Sequence, residues 1–170
     1  MSSLFVRTLP RDTVVGSFLE PFSLISETVT NNVEQGRSGV TSMPFGVVER
    51  IRDAAALTHG EWGAEIIEEM TPQPGDVVSP KYGMCAFQMT NLDEILRSKG
   101  IKNVIVLGFL TNGSVESTIR TAYELCYNVF CPTDCCAACS MVEQQCSIEL
   151  NFGLFAWNAN AVKLTSALMG

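Results

Sequence analysis

Short apolar runs alternate with stretches of helical period along most of the chain. Residues 13–16 (TVVG), 39–43 (GVTSM, stopped by Pro44), 76–80 (DVVSP), 103–108 (NVIVLG), 128–131 (NVFC) and 153–156 (GLFA) are six strand candidates. The run 103–108 is continuous and β-branched, the pattern of a strand buried on both faces. Between the strands, residues 22–35 read as helical, and in 61–70 Ile66, Ile67 and Met70 make one apolar stripe that ends before Pro72. Residues 50–57 have helix-forming composition over about two turns, too short to assign. Asn91 stands before Leu92, Ile95 and Leu96 in a cap-like start, with Lys99 and Gly100 closing that helix. Val115, Ile119, Ala122 and Cys126 repeat at helical spacing, and 141–150 and 159–168 form two further helical windows. Strands alternating with helices predict an α/β fold, a parallel sheet joined by right-handed crossovers and covered by helices on both faces.

With 170 residues, 46% of them hydrophobic and 17% charged, the chain predicts one globular domain spanning 1–170. The formal charge of −7, with no Lys/Arg cluster, disfavours nucleic acid and anionic membrane as partners. Arg7, Arg11 and Asp12 interrupt any apolar stretch near the start, so no signal or membrane-spanning segment is read there and a cytoplasmic location is expected. His59 is the single histidine, which excludes a multi-histidine metal site.

Seven cysteines, five of them within 131–146, do not form the even set of a secreted disulfide framework. Cys131, Cys135, Cys136 and Cys139 invite a zinc, iron–sulfur or redox reading. The simpler alternative is that cysteine here acts as a small buried apolar residue beside Ala137 and Ala138.

In an open parallel sheet, ligands bind beyond the carboxyl ends of the strands. Those ends point to Gly16-Ser17, to Lys81, and to the loop 110–114. The last places Ser114 at the start of a helix, where a nucleophile and an oxyanion site can be built. The same serine is also a good helix N-cap, and Asn112-Gly113 is turn chemistry. Lys81, followed by Tyr82 and Phe87, is either an electrostatic stabiliser or a surface lysine.

Trp62-Gly63-Ala64-Glu65, residues 72–77, Lys81 with Ala86-Phe87, Thr90-Asn91-Leu92-Asp93, Leu96-Arg97, Gly100-Ile101, Gly108, Thr111-Asn112, residues 115–120 (VESTIR) and Asp134-Cys135-Cys136-Ala137-Ala138 keep a common order and spacing. Over about residues 60–156 the chain therefore resembles the isochorismatase-like, or cysteine hydrolase, family of isochorismatases, nicotinamidases, N-carbamoylsarcosine amidases and ureidoacrylate hydrolases. The resemblance implies a six-stranded parallel sheet and an aspartate, lysine and cysteine triad acting on a small amide, ureido or vinyl-ether substrate. It carries the lysine to Lys81. The cysteine position, the fourth residue of a Thr-Asn-x-Cys-Val-Glu-Ser-Thr motif, is Ser114, and alignment on Phe22 puts Ser17 at the aspartate position. A pocket of Ser17, Lys81, Phe87 and Ser114, with Thr111, Asn112 and Gly113 from the loop, is implied to take a small molecule without cofactor or metal. Homo-oligomerisation is implied as well. Two serines at two catalytic positions point to an impaired hydrolase; the alternatives are an inactive small-molecule or protein binding module and a serine hydrolase with its base elsewhere.

Overall fold

The computed structural model describes residues 3–9, 13–18 and, apart from 73, 75, 81 and 82, residues 71–169; of residues 3–9, 13–18, 78–80 and 169 it describes the backbone alone. The expected segments 22–35, 39–43, 50–57 and 61–70, with His59 and Lys81, lie outside the described residues.

Among the described residues seven strands form one sheet: β1 (Ser3–Leu9), β2 (Thr13–Phe18), β3 (Val77–Pro80), β4 (Asn103–Phe109), β5 (Asn128–Pro132), β6 (Cys136–Ala137) and β7 (Trp157–Ala159). Their order is β3-β1-β2-β4-β5-β7, with the two-residue β6 on the end of β4. From β2 through β4 and β5 to β7 the pairing is parallel, in register Val15↔Ile105, Ile105↔Phe130 and Phe130↔Trp157. The fold is thus the expected α/β type, but among the described residues the sheet departs from six parallel strands: β2, β4, β5 and β7 run parallel, and β1 pairs antiparallel with both β2 and β3. Only Pro10, Arg11 and Asp12 separate β1 from β2, and so short a link joins antiparallel neighbours, never parallel ones.

The β-branched run predicts β4 well, since Val104, Ile105 and Val106 are all buried between β2 and β5. Helix α1 (Leu92–Ser98) buries Leu92 and Leu96, and α2 (Glu116–Glu124) buries Thr118, Ile119 and Ala122, the spacing of one helical face. Leu92, Leu96, Ile119 and Ala122 join Val115, Val129, Cys131 and Phe152 in one core. Burial of such side chains contributes about 1.5–3 kcal/mol each.

Both helices end in the same way. After α1 the N–H of Gly100 bonds to Arg97 O and that of Ile101 to Leu96 O; after α2 the N–H of Cys126 bonds to Tyr123 O and that of Tyr127 to Ala122 O. This paired ending needs a left-handed residue, supplied by Gly100 (φ 68) and by Cys126 (φ 65). Cys126 therefore leaves the apolar face on which its spacing placed it, and is exposed. Asn91 also departs from expectation, because its side chain makes no cap hydrogen bond. Thr90 Oγ1 instead accepts from the N–H of Leu92 at 3.2 Å.

The predicted strand 153–156 is a helical turn, Gly153–Phe155, continuing α3 (Met141–Cys146) through a π-helical stretch, Ser147–Phe152. The N–H of Ala156 still bonds back to Phe152 O at 2.8 Å, so the chain becomes extended only at Trp157, where β5 provides a partner. The final helix, α4, spans Ala161–Met169, and Asn160 Oδ1 accepts from the N–H of Lys163 at 2.8 Å at its start. No helix among the described residues is long and apolar enough to cross a membrane.

Where α1 meets the start of β5, Tyr127 Oη donates to Asp93 at 2.7 Å and Arg97 Nε donates to the same carboxylate at 2.9 Å. The Arg97 guanidinium, with Tyr127, holds the Asp93 carboxyl below its ordinary range. Burial, then Asp93, pushes the Tyr127 hydroxyl well above its own.

Candidate active site

The segment leaving β4 places Ser114. After Phe109 the chain crosses a cis peptide bond to Leu110 and winds through a π-helical turn, Thr111–Val115, directly into α2. Gly108, at φ 126, occupies backbone space that side-chain-bearing residues rarely adopt, just where β4 is paired on one side with Phe18 and on the other with Cys136. The turn itself is closed by two hydrogen bonds to one carbonyl, from the N–H of Gly113 (3.0 Å) and of Val115 (3.1 Å) to Leu110 O. Those two N–H groups are spent within the loop, so neither is directed at a ligand.

Ser114 is completely buried, and its Oγ donates to the thioether sulfur of Met84 at 3.3 Å. Among the described residues no carboxylate hydrogen-bonds to it. Met84 is set there by the segment 83–90, which runs down the side of α2. The N–H of Ala86 donates to Thr118 Oγ1 at 3.0 Å, Cys85 Sγ donates to Thr121 Oγ1 at 3.2 Å, and Thr90 Oγ1 returns to Ala86 O at 2.6 Å. The Ala86–Thr118 bond is wholly buried, so its loss leaves a donor unpaired. Thr118→Val, which keeps the shape and removes the acceptor, is expected to destabilise the protein by about 1–3 kcal/mol. A urea unfolding curve checks this, and an unchanged midpoint would show that Ala86 finds another acceptor.

The other residues expected in the pocket are divided by the fold. Ser17 lies on β2 opposite Leu107 of β4, which puts its backbone at the same carboxyl edge as the Ser114 turn. Thr111 is fully buried and donates through Oγ1 to Gln144 Oε1 on α3. Gln144 Nε2 in turn donates to Cys136 O at 2.9 Å, so this glutamine struts the turn against β6. Asn112 is exposed. Gly113 is half-buried, and a Cβ there would meet Leu110 Cδ2 at 3.1 Å and Met84 Cε at 3.3 Å, so its absence of a side chain serves packing. Phe87 is not brought to Ser114: its ring stacks on Tyr127, just before β5, with centroids 5.9 Å apart. The path of 83–90 along α2 is the cause: Met84 lies at Ser114, whereas Cys85 and Ala86 are bonded to Thr121 and Thr118 further along the helix.

Three residues close to the turn carry no sequence signal as site residues. Met84 and Gln144 are ordinary core and helix residues until the fold sets them beside Ser114 and Thr111. Glu116, in the VESTIR stretch, accepts from Arg120 (2.8 Å), Ser147 Oγ (2.7 Å) and Asn151 Nδ2 (3.1 Å), and Arg120 lies over the Phe155 ring at 4.5 Å. This network locks the first turn of α2 to the segment 147–155.

The cysteines separate as well. Cys131 is buried as expected of a small apolar residue, but Cys135 and Cys139 are exposed and Cys136 is only half-buried. Proximity to a strand end turns alternate residues of 135–139 outward, which overrides their small-residue composition. Among the described residues no three His, Cys, Asp or Glu side chains are grouped to hold a metal ion.

Comparison with known proteins agrees with this geometry. The family model of the isochorismatase domain matches residues 24–161. Ureidoacrylate amidohydrolases from Agrobacterium fabrum and Pseudomonas syringae pv. syringae are each 44% identical over 71 residues, 42% of this chain and 31% and 29% of theirs. The match thus spans less than a third of those relatives' length. In three dimensions, a cysteine hydrolase from Pseudomonas syringae pv. phaseolicola covers 99% of both chains with a TM-score of 0.67 at 21% identity, a likeness of fold. An N-carbamoylsarcosine amidase from Thermoplasma acidophilum covers 83% of this chain and 85% of its own, with a TM-score of 0.55 and 25% identity.

Proposed function

The chain belongs to the isochorismatase domain family, and we propose that it is a hydrolase-derived domain that binds a small amide or ureido compound while its own turnover of such a compound is impaired. The observation that carries this is the partner of Ser114. A hydroxyl nucleophile needs a base to take its proton, and Ser114 Oγ instead gives its hydrogen bond to a thioether, a weak and non-basic acceptor. Ser17, at the position that the family resemblance gives to the base, is no proton acceptor at neutral pH. Loss of one catalytic group typically costs several powers of ten in rate, and a remaining Lys81 does not restore a missing nucleophile and a missing base together.

The substrate class is supported by relatives named as a ureidoacrylate amidohydrolase and an N-carbamoylsarcosine amidase. A planar, polar group of that kind suits the carboxyl end of the sheet, the end at which the Ser17 backbone and the Ser114 turn both lie.

The test restores the lost chemistry. Ser114→Cys combined with Ser17→Asp is assayed beside the parent against a panel of ureido and amide substrates. Turnover appearing in the double variant, by about two or more powers of ten over the parent, is the expected result. Equal turnover in the parent would establish a working serine enzyme and overturn the proposal.

A further inference from the structure

Beside the Ser114 turn lies a second chemical group that the proposed hydrolase chemistry does not use. Cys131, in β5, and Cys136, in β6, bring their sulfurs to 3.6 Å, the one thiol–thiol hydrogen bond among the described residues. The chain between them makes this contact by folding back through Pro132 and a single helical turn, Thr133–Cys135. Cys131 is completely buried, whereas Cys136 is half-buried and sits opposite Gly108 at the open carboxyl edge of the sheet. Of the two residues, Cys136 is thus the one that is partly exposed, and Cys131 is enclosed.

We propose that Cys131 and Cys136 are a redox-active dithiol, Cys136 reacting first with hydrogen peroxide and Cys131 resolving it to a disulfide. The electrostatics agree with that order. The hydrogen bond from Cys131, reinforced by the N–H of Gly108, favours thiolate on Cys136, while the same contact and burial push the Cys131 thiol up. In the first step the Cys136 thiolate attacks one peroxide oxygen and the O–O bond breaks. The departing hydroxide takes a proton to become water, leaving Cys136 as a sulfenic acid. In the second, Cys131 sulfur attacks Cys136 sulfur and the S–O bond breaks. The Cys131 proton leaves with that hydroxide as a second water. The dithiol is oxidised by two electrons and the peroxide reduced by two. Because Cys136 O is held by Gln144, which also holds Thr111, the dithiol is joined through one side chain to the turn that carries Ser114.

The experiment treats the full chain, unmodified and folded, with one equivalent of hydrogen peroxide, then blocks the remaining thiols and measures intact mass. Loss of two hydrogens and of two of the seven thiols is expected. Cleavage before Asp134 separates Cys131 from Cys136, so the two resulting fragments should stay linked until a reductant is added. Cys135→Ser should keep the link; Cys136→Ser and Cys131→Ala should abolish it. Cys136→Ser exchanges one atom at a half-buried site and tests the assignment however Cys131→Ala folds. A link that survives Cys136→Ser, or oxidation confined to the exposed Cys126, Cys135, Cys139 and Cys146, would overturn the proposal. Neither outcome depends on whether the chain hydrolyses any substrate.

Discussion

Phe152→Ala is expected to lower the unfolding free energy by about 3–5 kcal/mol, the usual cost of emptying an aromatic site that cannot collapse. Phe152 is completely buried and is the largest such side chain among the described residues. It closes the π-helical stretch Ser147–Phe152 and shares the core with Val115 and Ile119, so the space it leaves lies under α2. A shift of that size corresponds to a fall in Tm of roughly 6–20 °C for a domain of this length. Calorimetry of the variant checks the value. A loss under about 1 kcal/mol would mean that the segment 147–155 repacks over the gap and is not a fixed support for the Ser114 turn.

The second large effect is the loss of a shared hydrogen-bond acceptor. Glu116→Ala is expected to cost about 2–4 kcal/mol, because it deprives Arg120, Ser147 and Asn151 of their shared acceptor at once. The Arg120 pair alone would not carry this, since its guanidinium side is 42% exposed and solvent screens it. Ser147, however, is buried and loses a 2.7 Å acceptor without access to water. Glu116→Gln keeps one acceptor oxygen and should recover about half of the loss. Equal stability of the alanine variant and the parent in denaturant titrations would contradict the network. A loss in Glu116→Gln as large as in Glu116→Ala would instead assign the effect to charge.

These two positions mark where sequence pattern stops being informative. Ile119 and Ala122 announce their burial by spacing, and β4 announces its own by an unbroken β-branched run. Glu116 and Ser147, 31 residues apart, announce nothing, since a polar residue on a helix reads as solvent-facing until a partner arrives. The misplacement of the last strand has the same origin. The run 153–156 is as apolar as a strand, but a backbone hydrogen bond to Phe152 keeps it helical and the pairing with β5 falls to Trp157–Ala159. Likewise Thr90, not Asn91, caps α1, because a one-residue choice of cap depends on local dihedral angles that composition does not report.

By itself, the sequence determined the α/β class, most strand and helix positions in the second half, and the presence of serine where the family resemblance expects a cysteine. Such properties are local: periodicity states which side of an element must avoid water, and a motif states which residue stands at a turn. Tertiary structure alone decided that β1 enters the sheet antiparallel, that Ser114 faces the sulfur of Met84, that Phe87 belongs to Tyr127, and that two of seven cysteines meet. Each of these depends on how separate segments cross in space, and hydrophobic period carries no information about which segment arrives.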